Sequence, residues 1–180
     1  MRAVYVYSPR EMPAEPMTIY TISYEGRSLE QFLADLRAAG IRLLVDVRET
    51  PFSRKPGFSK NALAACLRGV DMEYRHLRPL GCPRPIRDQY RKDGDWERYT
   101  RGFMAHLHEQ QVATAELAAL VSAKPAALLC YEADFNRCHR TYVARAVAKL
   151  TGAHVCHITA AGMVMDAPDS SQMGQFRLVS

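Results

Sequence analysis

The sequence predicts an α/β protein, a single three-layer domain whose mostly parallel sheet of about five strands carries helices on both faces. Three observations predict it. Short apolar runs suited to strands alternate with segments whose apolar residues recur at helical spacing. The run IRLLVDV is almost continuously apolar, as a strand covered on both faces requires. Polar residues gather just after the strands, at the carboxyl edge where such sheets hold ligands. With 180 residues, 48% of them hydrophobic and 24% charged, the chain is long enough to bury one self-sufficient core.

Residues 1–16, with AVYVYS followed by Pro9, Pro13 and Pro16, read as an N-terminal extension or edge strand; the α/β domain spans 17–160 and a tail follows over 161–180. IYTISY is β-branched and aromatic and forms the first strand, turned by Glu25-Gly26-Arg27. Ser28 and Gln31 then make a capping box, Leu29, Phe32, Leu33 and Leu36 line one helical face, and Gly40 ends that helix. IRLLVDV follows, with Asp46 and Arg48 at its carboxyl end. After the loop ETPFSRKPGF, Ser59 opens a helix carrying Ala62, Leu63, Cys66 and Leu67, which stops at Gly69. MEYRHL is the third strand. Arg78 to Asp95, broken by Pro79, Gly81, Pro83 and Pro85, reads as a long surface excursion. Residues 99–123 are helical with a break near Gln110, and Leu117, Leu120 and Val121 face inward before Pro125 closes the segment. AALLCY is a buried strand. Beyond a polar turn, Cys138, His139 and Arg140 open a helix whose face is Tyr142, Val143, Ala146, Val147 and Leu150; Gly152 ends it and HVCHI supplies the fifth strand.

No apolar run is long enough to cross a bilayer and no secretory leader pattern is present, so no membrane association and a cytoplasmic location are expected. Five scattered cysteines suit a reducing compartment with free thiols. Residues 48 to 101 hold 13 Lys/Arg against 7 Asp/Glu, so the formal charge of +5 is concentrated there. A local basic excess favours an anionic partner, nucleotide or nucleic acid, although a solvated basic surface is the blander explanation. The oligomeric state is left open.

Three stretches, TISYEGRSLEQF, LLVDVRETPFSRKPGF and LLCYEADFNRCHR, occur in an order that resembles the domain of unknown function 488 family. The likeness runs from about Thr18 to Ile158, with Ser23 where that family usually has glycine. It implies the fold and a shared site rather than a particular reaction.

LLCYEADFNRCHR is the densest chemistry in the chain. Candidate catalytic residues are Asp46, Glu132, Cys138 and His139: carboxylates and an imidazole for proton transfer, and a cysteine near a helix start where the dipole favours thiolate. Arg48, Arg54, Lys55 and Arg140 are candidates for holding an anion. Plain packing competes for the cysteines, and mutual ion pairing competes for Asp46 with Arg48 or Arg140. A cysteine-phosphatase reading fails because six residues rather than five separate Cys130 from Arg137, and Glu132 and Asp134 would repel a phosphate there. A rhodanese-like reading lacks an amide-rich loop around Cys130. Zinc on Cys130, Cys138, His139 and His157 or Cys156 is disfavoured, since neighbouring helical residues diverge by about 100°. Neither a metal nor a cofactor is therefore expected. The sequence points to a small enzyme acting on a phosphorylated or nucleobase-containing substrate. The alternative is a non-catalytic nucleic-acid-binding module using the basic 48–101 region, with Arg84, Arg87 and Arg91 as its contacts. Both readings require Asp46, Arg48, Glu132, His139 and Arg140 to line one cleft at the carboxyl edge.

Overall fold

The structure, a computed structural model, describes residues 17–166; the N-terminal extension and the end of the tail lie outside them. Its strands are β1 (Thr18–Ser23), β2 (Leu43–Asp46), β3 (Glu73–His76), β4 (Ala126–Cys130), β5 (His154–Thr159) and β6 (Gly162–Met165). The helices are α1 (Leu29–Ala38), α2 (Lys60–Arg68), α3 (Arg84–Asp93), α4 (Trp96–Glu109), α5 (Gln111–Ala123) and α6 (His139–Thr151). Spatial order in the sheet is β3-β2-β4-β1-β5-β6. The first five strands pair in parallel and β6 is antiparallel to β5.

Strand alternation divides the core. Ile22, Leu44, Ala127 and Leu129 meet Phe32 and Leu36 of α1 and Leu63 and Leu67 of α2 on one face. Ile19, Leu43, Val45 and Leu128 meet Phe103 of α4, Leu117 of α5 and Val143 of α6 on the other. The α1 start is set by the expected capping box, Ser28 accepting from the Gln31 amide while Gln31 accepts from the Ser28 amide. β4, central and buried at every residue, is the AALLC run.

Three expectations change. The excursion after Arg78 is largely helical: α3 opens with Pro83 at its N-cap and Pro85 in its first turn, and ends at Gly94, whose φ of 66° suits a glycine cap. Leu150 is 64% exposed, because α6 buries Val143, Ala144 and Val147 instead. A sixth strand, short and exposed, extends the sheet at Gly162–Met165 within the stretch assigned to the tail.

Candidate functional site

The carboxyl ends of β1, β2 and β4 are tied together at the backbone: the Val47 amide donates to the Leu129 carbonyl and the Glu25 amide to the Tyr131 carbonyl. Because Asp46 stands opposite Leu129 in the parallel register, its side chain emerges on the α1–α2 face. There it is completely buried and accepts from Arg48 Nε (2.8 Å) and Nη2 (2.5 Å), from the Arg48 amide (3.1 Å) and from the Tyr74 hydroxyl (2.7 Å). Arg48 Nη1 donates onward to the Tyr24 hydroxyl and to the Phe58 carbonyl, both at 3.0 Å. Arg48 thus spends its donors on the protein, and clasps the loop leading to α2 against the first turn. Burial and the Asp46 carboxylate push the Tyr74 phenol upward. Gly81 completes the support from the opposite side of that loop. A Cβ there would lie 2.2 Å from the Glu49 amide nitrogen and 2.8 Å from the Arg48 carbonyl carbon.

Cys130, one residue beyond Leu129, points to the other face, where α6 begins. Its Sγ lies 2.7 Å from Glu132 Oε2, and Cys138 Sγ lies 3.1 Å from that same oxygen. His139 Nδ1 is 3.7 Å from Cys130 Sγ, while its Nε2 is 2.9 Å from the Val47 carbonyl. A carbonyl only accepts, so Nε2 carries a proton and Nδ1 is the nitrogen that faces the sulfur. Phe103 closes over the imidazole edge to face at 5.2 Å. Cys130, Cys138 and His139 are buried and Glu132 is half-buried.

The sequence argument that Cys138 and His139 must diverge fails here for a geometric reason. Cys138 is the N-cap, with φ −137° and ψ 136°, so it is extended rather than helical. Its side chain and that of the first helical residue therefore converge, and the donor atoms of Cys130, Glu132, Cys138 and His139 all lie within 4.8 Å of one another.

Electrostatics follow from crowding these groups out of water. Burial, then the proximity of Cys138, raises the Glu132 carboxyl. Burial opposes ionisation of Cys138 too, but the hydrogen bond from Cys130 and the charges of Arg140 and His139 outweigh it and hold that thiol well below its usual range. Cys130 is correspondingly raised by burial and by Cys138. A deprotonated Cys138 requires the proton of its 3.1 Å contact to sit on Glu132, in keeping with the raised carboxyl.

Arg140 is 2% exposed and donates to Thr21 Oγ1 (3.3 Å) and to the carbonyls of Glu132 (2.5 Å) and Ala133 (3.5 Å). It makes no ion pair with a carboxylate among the described residues, and the anionic groups it faces are those of the cysteine cluster. Arg54 and Lys55 stand elsewhere. They line a pocket of about 580 Å³ with Tyr24, Glu25, Gly26, Phe52, Ser53, Arg91 and Tyr131. Lys55 Nζ donates to the Tyr24 carbonyl at 3.0 Å, and Arg54 makes no ion pair among the described residues. Tyr131 meets Tyr24 edge to face at 5.3 Å, and Phe52 is 70% exposed.

The expected single cleft is thus two places on opposite faces of one sheet edge. Asp46 and Arg48 form a buried clasp, Glu132, Cys138 and His139 gather around Cys130, and of the proposed anion holders Arg54 and Lys55 share a pocket while Arg48 and Arg140 do not. The sequence favours packing for Cys130 and offers Arg91 only as a nucleic-acid contact; that Tyr74 donates to Asp46 is visible only in the structure. Period-2 alternation from a known register would have placed Cys130 with Leu128 rather than with Asp46.

A family model described as Domain of unknown function DUF488 matches residues 28–147, which is 120 of the 180 residues. No curated protein and no solved structure matches the chain. No helix among the described residues is long and apolar enough to cross a membrane.

Proposed function

We propose, for a chain that belongs to the domain of unknown function 488 family, that it is a small enzyme whose phosphorylated or nucleobase-containing substrate seats in the pocket of Arg54, Lys55 and Arg91. The observation that carries this reading is the composition of that pocket. Three cations border it together with the rings of Tyr24, Phe52 and Tyr131, the combination that suits an anion joined to an aromatic base. Glu25 also borders it, but its carboxylate already accepts from the Ala133 amide at 2.7 Å. Tyr131 lies between Cys130 and Glu132 in the chain, so the pocket wall and the reactive cluster are built from consecutive residues. Glu132, half-exposed, is the member of the cluster that meets solvent.

Less supports a nucleic-acid surface over residues 48–101. Arg84 and Arg91 share Asp88, and Arg87 pairs with Glu49, so the three arginines named as its contacts carry two carboxylates among them and offer a polyanion less than three free charges.

Calorimetric titration with nucleoside monophosphates and with inorganic phosphate at low salt tests the proposal. Micromolar to millimolar binding is expected, weakened about 10-fold or more when Arg54→Ala and Arg91→Ala are combined, which corresponds to the loss of charge-assisted hydrogen bonds. Absence of binding by every nucleotide and by phosphate overturns it.

A further inference from the structure

Cys130, Glu132, Cys138 and His139 have a second property that proton chemistry does not require: two sulfurs, one carboxylate oxygen and one imidazole nitrogen lie within 4.8 Å of one another. We infer that these four side chains form a binding site for a divalent metal ion of zinc-like preference. The inference stands apart from the anion pocket and survives if that pocket binds nothing.

The donor set comes first. Thiolate and imidazole ligands select zinc and its borderline neighbours over magnesium or calcium, which demand oxygen. Four donors of this kind match the tetrahedral number. Orientation comes second, and independently. His139 reaches the cluster through Nδ1 because Nε2 donates to the Val47 carbonyl at 2.9 Å; a backbone carbonyl on the far nitrogen is the outer contact by which proteins fix a metal-binding imidazole. Charge comes third. Two thiolates and a carboxylate carry three negative charges, and a divalent ion leaves one. Arg140, 2% exposed, donating to the Glu132 carbonyl and without a carboxylate partner among the described residues, supplies the positive charge that closes the balance. A buried guanidinium lacking such a counter-charge would be costly. Finally, the two cysteines stand on regular elements, the end of a central strand and a helix N-cap, rather than on a loop. Glu132, half-buried where the other three are buried, is the ligand open to exchange with water.

Metal binding is a proton-coupled exchange without redox change: the ion enters as the Cys130 thiol and the Cys138–Glu132 pair each give up one proton to solvent. The test uses the full chain, untagged and kept reduced. Zinc content after desalting should be about one equivalent, as for a four-donor site, and should fall to background in Cys138→Ser and His139→Ala while Cys66→Ser, altering a cysteine outside the cluster, leaves it unchanged. As those variants can fail by unfolding, the folded wild-type chain is also titrated with cobalt(II). A thiolate-to-cobalt charge-transfer band with tetrahedral visible bands, displaced by zinc, supports the inference. Absence of that band in folded wild-type protein, or its persistence at full strength in a folded Cys130→Ser or Cys138→Ser variant, overturns it.

Discussion

Replacing Asp46 by Asn separates the clasp from the chemistry. Asp46 is wholly buried and Arg48 is 6% exposed, and the carboxylate takes two guanidinium donors at 2.5 and 2.8 Å with the Tyr74 hydroxyl at 2.7 Å. An amide of the same shape presents one acceptor where there were two, sets an N–H against a guanidinium N–H, and leaves the Arg48 charge buried without compensation. Breaking a buried pair in this way costs about 3–5 kcal/mol, which for a chain of this size lowers Tm by about 6–20 °C. Tyr74→Phe removes only a neutral donor to the same carboxylate and should cost about 1.5–3 kcal/mol. Replacing Asp46 and Arg48 together by Leu and Met should be less damaging than Asp46→Asn, since no unpaired charge remains. Urea unfolding at neutral pH measures all three. Hydrogen exchange should also report faster opening of residues 51–58, because Arg48 holds the Phe58 carbonyl. An Asp46→Asn protein that loses less than about 1 kcal/mol would refute the clasp and return Asp46 to the list of groups free for catalysis.

Gly81→Ala should destabilise by about 1–3 kcal/mol through overpacking, since its Cβ would fall 2.2 Å from the Glu49 amide nitrogen; a neutral result by denaturant unfolding contradicts the close approach. His157 is held below its ordinary range, first by burial and then by the charge of Arg140, with Asp166 at 3.6 Å opposing. Its folded pKa lies under the unfolded value of about 6.5, so its contribution is complete above that pH and is lost as pH falls through it. His157→Gln should therefore flatten the stability profile between about pH 7 and 5 relative to the wild type; an unchanged slope contradicts the assignment. Alkylation of the folded chain should reach Cys66 first, the other four cysteines being buried, and a zinc chelator should accelerate labelling at Cys130 and Cys138 alone, as read by peptide mass spectrometry.

Much of this architecture is legible in the residues. IRLLVDV and AALLC announce covered parallel strands by their continuity, and the Ser28–Gln31 capping box starts α1 where expected. What escapes is whatever depends on partners. α3 buries no residue fully and turns only Ile86 and Tyr90 to the core, too short an apolar stripe to read as a helix, so only Pro83 and Pro85 at its start and the glycine after it mark its limits. The split of the site escapes for a related reason. Asp46 and Cys130 both stand at strand ends, but which face each takes depends on the register between β2 and β4, and no local pattern encodes that register. Cys138 and His139 turn on a single residue: read as helical they diverge, whereas an extended N-cap lets both face Glu132.

The central claim is that an anionic, base-bearing ligand binds at the carboxyl edge among Arg54, Lys55 and Arg91. A backbone-amide NMR titration of the isotope-labelled chain with a nucleoside monophosphate tests it most directly. The account predicts saturable shifts confined to Tyr24–Gly26, residues 52–57, Arg91 and the Tyr131–Ala133 turn, all abolished in the Arg54→Ala, Arg91→Ala double variant. Shifts that instead follow the exposed arginines of α3 and α4, and that survive in that variant, would contradict it.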